Sequence, residues 1–180
     1  MLRITIPARE CWDDAKQEFV NEKEQVLQLE HSLVSLSKWE SKWCKSLIAT
    51  EKMTYEETID YIKCMTLTQN VHPDVYKRLT DEHIEMVEKY MDAPMTATTF
   101  ADDRKKGGRT EIITNEIIYY WMITLNIPPE YQKWHLNRLL TLIKVCTIKN
   151  NPPKKMSAGE IMSRNRALNE ARRKQLNTKG

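Results

Sequence analysis

The run IIYYWMI at 117–123, closed by Pro128-Pro129 and followed by a leucine stripe, restricts this chain more than any other stretch. A helix that is apolar on every side is normally buried within its fold or its assembly. The Pro-Pro step ends that helix and pre-sets the next one, because proline lacks the N–H that a first turn leaves unpaired. On the second helix, at about 100° per residue, Leu136, Leu139, Leu140 and Ile143 share one face. Trp134 and Val145 point nearly the opposite way, with Arg138 one turn from Trp134 and able to stack on its indole. One face is expected to pack on the 111–126 helix as an αα-hairpin. The other meets either a 33–47 helix or a partner, which makes Trp134, Arg138 and Val145 candidate partner-binding residues.

The remaining elements follow from period and caps. LRITIP (2–7) alternates apolar and polar residues up to a proline, as a short strand does. VLQLEHSL (26–33) fits a second strand or the entry to a helix. From there Leu33, Leu36, Trp43 and Leu47 recur at helical spacing, with Trp39 at the edge of the stripe. Thr54-Tyr-Glu-Glu57 is a capping box that opens a helix with Tyr55, Ile59 and Ile62 on one face. After a Pro73 turn, Thr80 caps a helix carrying Ile84, Val87 and Met91. PMTATTF (94–100) reads as extended, ADDRKKGGR (101–109) as a loop, and Ser157-Ala-Gly-Glu160 as a second capping box that starts a helix over 158–176. The fold class is therefore mainly α: a compact multi-helix domain with a central αα-hairpin, a short N-terminal β element and a basic C-terminal helix.

Charge divides the chain at about residue 150. Residues 154–180 hold eight Lys/Arg against two Glu, and 1–153 hold 20 basic against 23 acidic residues. A slightly acidic core domain (1–150) thus carries a basic tail (151–180), whose cations include Lys154, Lys155, Arg164, Arg166, Arg172, Arg173 and Lys174. Six to eight such cations could contact phosphates in a salt-sensitive way. No aromatic residue follows Trp134, so the tail cannot stack on bases. The tail helix has few apolar residues and is expected to fray until it meets an acidic surface, another subunit or nucleic acid.

No chemistry declares itself in the sequence. Only four glycines occur, and neither GxSxG nor GxxxxGK[ST] is present. His83-Ile-Glu85 lacks the PCxxC that a zinc deaminase requires. Cys11, Cys44, Cys64 and Cys146 show no CxxC spacing and read as small buried hydrophobes in a reducing compartment. His135, beside the leucine stripe, reads as a structural histidine. No cofactor, metal site or catalytic residue is expected. MLRITIPARECWDD lacks the apolar run of a signal peptide, and no run reaches the roughly 20 residues that span a bilayer. A cytoplasmic, non-membrane protein is expected.

The string EIIYYWMITLNIPPEYQKWHLNRLLTLIKVC, followed by KNNPPKKMSAGEIMSRNRALNEARRKQ, resembles small morphogenesis proteins of long-tailed bacteriophages. LQLEHSLVSLSKWESKW and DYIKCMTLTQNV resemble the same group, and together these segments cover well over half the chain. Within that group the role it is most similar to is a tail assembly chaperone. The resemblance implies a small, helical, non-catalytic protein of the host cytoplasm that binds the phage tape measure protein or another tail component. A structural tail-completion or connector subunit of the virion is the alternative. Self-association and nucleic-acid binding through the basic helix remain open beside it.

Overall fold

The computed structural model describes residues 1–13, 17–100, 112–151 and 158–176. The chain opens with strand β1 (Leu2–Ile6), which pairs antiparallel with β4 (Gln25–Leu29) in the register Ile4↔Leu27. Between them in sequence lies a separate hairpin, β2 (Arg9–Asp13) and β3 (Glu18–Glu22), in the register Trp12↔Phe19. The alternation of LRITI turns Ile4 and Ile6 into the core beside Leu27 and Leu29, all fully or almost fully buried. The other edge of β4 is not left open: Glu30 N–H donates to Met65 O, and Leu67 N–H donates to Gln28 O. A covered edge cannot template pairing with another chain.

The ambiguous segment 26–33 is both things in succession. β4 ends at Leu29, and Ser32 caps helix α1 (Leu33–Trp43) in a reciprocal bond with Ser35. The Thr54–Glu57 capping box forms as expected and opens α2 (Tyr55–Met65). A 3-10 helix, η1 (Pro73–Arg78), leads to α3 (Asp81–Asp92), where Thr80 is the N-cap and His83 its reciprocal partner. The chain continues through α4 (Asn115–Thr124), a second 3-10 helix η2 (Pro129–Lys133) and α5 (Leu136–Asn150). The last helix, α6 (Ala158–Leu176), lies where the sequence places it. The fold is mainly α with a few short strands.

The centre of this fold is α1. Trp39, expected at the edge of the stripe, is fully buried and donates its indole N–H to Glu57 O at 3.0 Å. The helix stops at Trp43 because Cys44 takes a left-handed conformation, φ 52°. Leu47 therefore reaches the core from the following turn rather than from the helix, and Cys44 is exposed, not a buried hydrophobe. The α4 backbone packs more on α1 than on α5. The helix is also not covered all round: Ile118 and Met122 are buried, whereas Tyr120 and Ile123 are 64% and 76% exposed. Pro129 opens η2, so α5 begins only at Leu136, with Leu136, Leu139 and Ile143 on its buried face. Residues 94–100 form no strand, and the β2–β3 hairpin was not anticipated. Loop 101–109 and the Ser157 end of the second capping box lie outside the described residues.

By backbone contacts the chain forms two compact units, Met1–Cys146 and Thr147–Gly180. In the second unit every described α6 side chain is exposed.

Candidate functional site

Trp134 caps η2 and is half-buried. Tyr131 stacks on it, with ring centroids 4.2 Å apart and planes 19° from parallel. The Arg138 guanidinium lies 3.9 Å from the Trp134 ring centroid, close enough for a cation–π contact. Both residues border a recess of about 260 Å³ shared with Glu30, Tyr90 and His135. Val145, also half-buried, follows Arg138 by seven residues on α5 and does not line the recess. The structure thus brings Trp134 and Arg138 together and leaves Val145 apart from them.

Behind the recess runs a polar network that joins four segments. His31 Nδ1 bonds to the Tyr61 hydroxyl at 2.6 Å, and the His31 and His135 rings meet edge to face. Asn137 N–H donates to His135 Nδ1, which leaves Nε2–H to donate to Tyr90 O at 3.0 Å. Tyr90 in turn donates its hydroxyl to Glu30. Burial, with the neighbouring His135, lowers the His31 pKa to about 3. Burial lowers His135 too, against the opposing bond to Tyr90 O. Burial raises the Tyr61 and Tyr90 hydroxyls, and the Glu30 carboxylate adds to the effect on Tyr90. These groups hold elements together in fixed protonation states and are poorly placed to exchange protons near neutrality.

A larger trough of about 590 Å³ runs along α2, between the end of α1 and η1. Ile59, Trp43 and Tyr76 form its apolar floor, Tyr55 stands at one end, and Lys42, Lys63 and Lys77 stand around the rim. Burial would push the Asp60 carboxyl up, but bonds from Lys42 Nζ (2.5 Å) and Trp43 Nε1 (3.0 Å) outweigh that and hold its pKa below the usual range. Sequence reading missed this trough. Tyr55, Ile59 and Lys63 do recur at helical spacing, but Tyr55, expected on the core-facing side, is 59% exposed. Which face of α2 is covered depends on the elements packed against it, which local periodicity does not encode.

In the second unit, Arg164, Arg166, Arg172, Arg173 and Lys174 all lie on exposed turns of α6. Lys154 and Lys155 fall outside the described residues. Among the described residues no group of His, Cys, Asp and Glu could hold a metal ion, and no helix is long and apolar enough to cross a membrane. Comparison with protein-family models, with curated proteins and with solved structures finds no match.

Proposed function

We propose that this chain is a non-catalytic assembly protein of a tailed bacteriophage, a tail assembly chaperone that binds the tape measure protein. One observation carries the reading: α4 presents Tyr120 and Ile123, two large apolar side chains one turn apart, to solvent. A helix built mostly of apolar residues but only half covered offers its free face to an amphipathic partner helix. The tape measure is the partner that the phage-like segments favour. The buried histidines and tyrosines, engaged in structural bonds, support binding rather than acid–base chemistry.

Co-expression with the tape measure protein is expected to give a soluble complex that co-purifies. Ile123→Ser is expected to weaken that complex at least several-fold while the variant stays folded. A tape measure that is soluble alone and never co-purifies rules the reading out. The second reading, a tail-completion or connector subunit, predicts that the chain is found in purified particles by mass spectrometry, whereas a chaperone leaves before completion. The third, nucleic-acid binding, draws on the five exposed cations of α6 and predicts an affinity that truncation at Asn151 abolishes.

A further inference from the structure

Two features of the first unit complement each other. The first is the trough, with its floor of Ile59, Trp43 and Tyr76. Lys42 is paired with Asp60 and Lys77 with Asp74, each at 2.5 Å. Lys63 is exposed, its Nζ 5.7 Å from the Tyr76 ring centroid, and its charge acts on Asp60 through space. The second feature is the outer face of α4, where Glu116, Tyr120 and Ile123 recur at i, i+4 and i+7, all exposed.

We propose that the α4 face of one copy seats in the trough of a second copy, with Tyr120 and Ile123 on the apolar floor and Glu116 against Lys63. The dimensions agree. At 1.5 Å per residue, Glu116 to Ile123 spans about 10 Å, and the trough follows α2 from Tyr55 to Lys63 for about 12 Å. The trough is open along its length, which suits a helix face better than a small molecule, since small-molecule sites enclose most of the ligand. The contact joins two different patches, so copies assemble as a reciprocal pair, a ring or an open head-to-tail chain. The inference does not rest on the phage reading, although it shares Tyr120 and Ile123 with it: the free protein covers this face by self-contact and yields it to a partner helix.

Sedimentation velocity on the full chain tests this, over about 1–100 µM. Wild type is expected to shift from monomer to oligomer across that range. The Tyr120→Ser/Ile123→Ser variant, confirmed as folded by circular dichroism, is expected to stay monomeric. Lys63→Glu and Glu116→Lys are each expected to weaken association roughly tenfold, and the double charge swap to recover it. A wild type that is monomeric throughout overturns the proposal. So does association indifferent to Tyr120 and Ile123, or a double swap no stronger than either single variant. Loss of tape measure binding on Lys63→Glu in a protein that never self-associates would instead assign the trough to an outside helix. Self-association that persists while the tape measure fails to co-purify sinks only the assembly reading, so the two failures are distinguishable.

Discussion

Glu40 places both carboxylate oxygens on backbone groups that nothing else satisfies. One oxygen accepts Leu47 N–H at 2.9 Å, and the other accepts Asn115 N–H and the Asn115 side-chain amide, each at 2.7 Å. A single buried carboxylate thereby fixes the turn after α1 to the start of α4, across 75 positions of sequence. Glu40→Ala removes three charge-assisted bonds and leaves buried donors unpaired, so a loss of about 3 kcal/mol is expected in urea unfolding. A change under about 0.5 kcal/mol would show that water replaces the carboxylate. Glu40 has no role legible in the sequence, because nothing local announces a partner so far away. His31 leads to a second prediction at this scale. Its folded pKa of about 3 lies below the ordinary 6.5, so between those values the unfolded chain binds more protons than the folded one. The resulting stability is complete above about pH 6.5 and falls as pH drops toward 3, by at most about 1.4 kcal/mol per unit from this group. Buried His135, shifted in the same direction, adds to the slope. His31→Gln should flatten the decline between about pH 6.5 and pH 4.5 when urea midpoints are compared. An unchanged slope would mean that His31 is protonated in the fold.

Among elements, those with a chemical start signal or a clear local period were the ones legible in the sequence. Thr54-Tyr-Glu-Glu57 announces α2 because its side chains satisfy N–H groups that the helix itself cannot, with Thr54 N–H bonding Glu57 Oε2 at 2.8 Å. The Lys45 ammonium and the Thr54 bonds hold the Glu57 carboxyl below its usual range. Thr54→Ala is accordingly expected to lower stability by about 1 kcal/mol, read as a lower melting temperature by calorimetry. No shift would show that Glu57 caps α2 without its partner. The β2–β3 hairpin carried no such signal. Its turn lacks the Asn-Gly or Gly-Gly step of a tight hairpin, and Trp12 and Phe19 meet only across the ladder, ring centroids 5.0 Å apart. The arm is set by Arg78 of η1, which donates to Pro7 O and Lys23 O and pairs with Glu22 at 3.5 Å. That contact spans up to 71 positions, beyond any window in which periodicity operates. Whether α4 is covered by the fold or by an assembly is open in the sequence for a related reason. Composition shows how much apolar surface a helix has, whereas coverage of Tyr120 and Ile123 depends on where α1 lies.

For the molecule as a whole, binding can draw on two kinds of surface, and salt separates them. Residues 154–180 carry eight basic against two acidic groups, while 1–153 carry a small acidic excess. If the tail binds nucleic acid, the five exposed cations of α6 displace condensed counterions, and affinity falls roughly 10²–10³-fold between about 50 and 200 mM salt. A complex seated on Tyr120 and Ile123 depends on removing apolar surface from water, which simple salts at these concentrations hardly alter. If the full chain captures the tape measure protein as proposed, that capture is therefore expected to change by no more than about threefold over the same range. Truncation at Asn151 should leave that capture nearly intact, because the apolar face belongs to the first unit. Both quantities are readable on one immobilised protein, with duplex DNA and tape measure fragments as alternate analytes. Should the protein complex prove as salt-labile as the DNA complex, and vanish on truncation, the tail rather than α4 would be the principal binding surface.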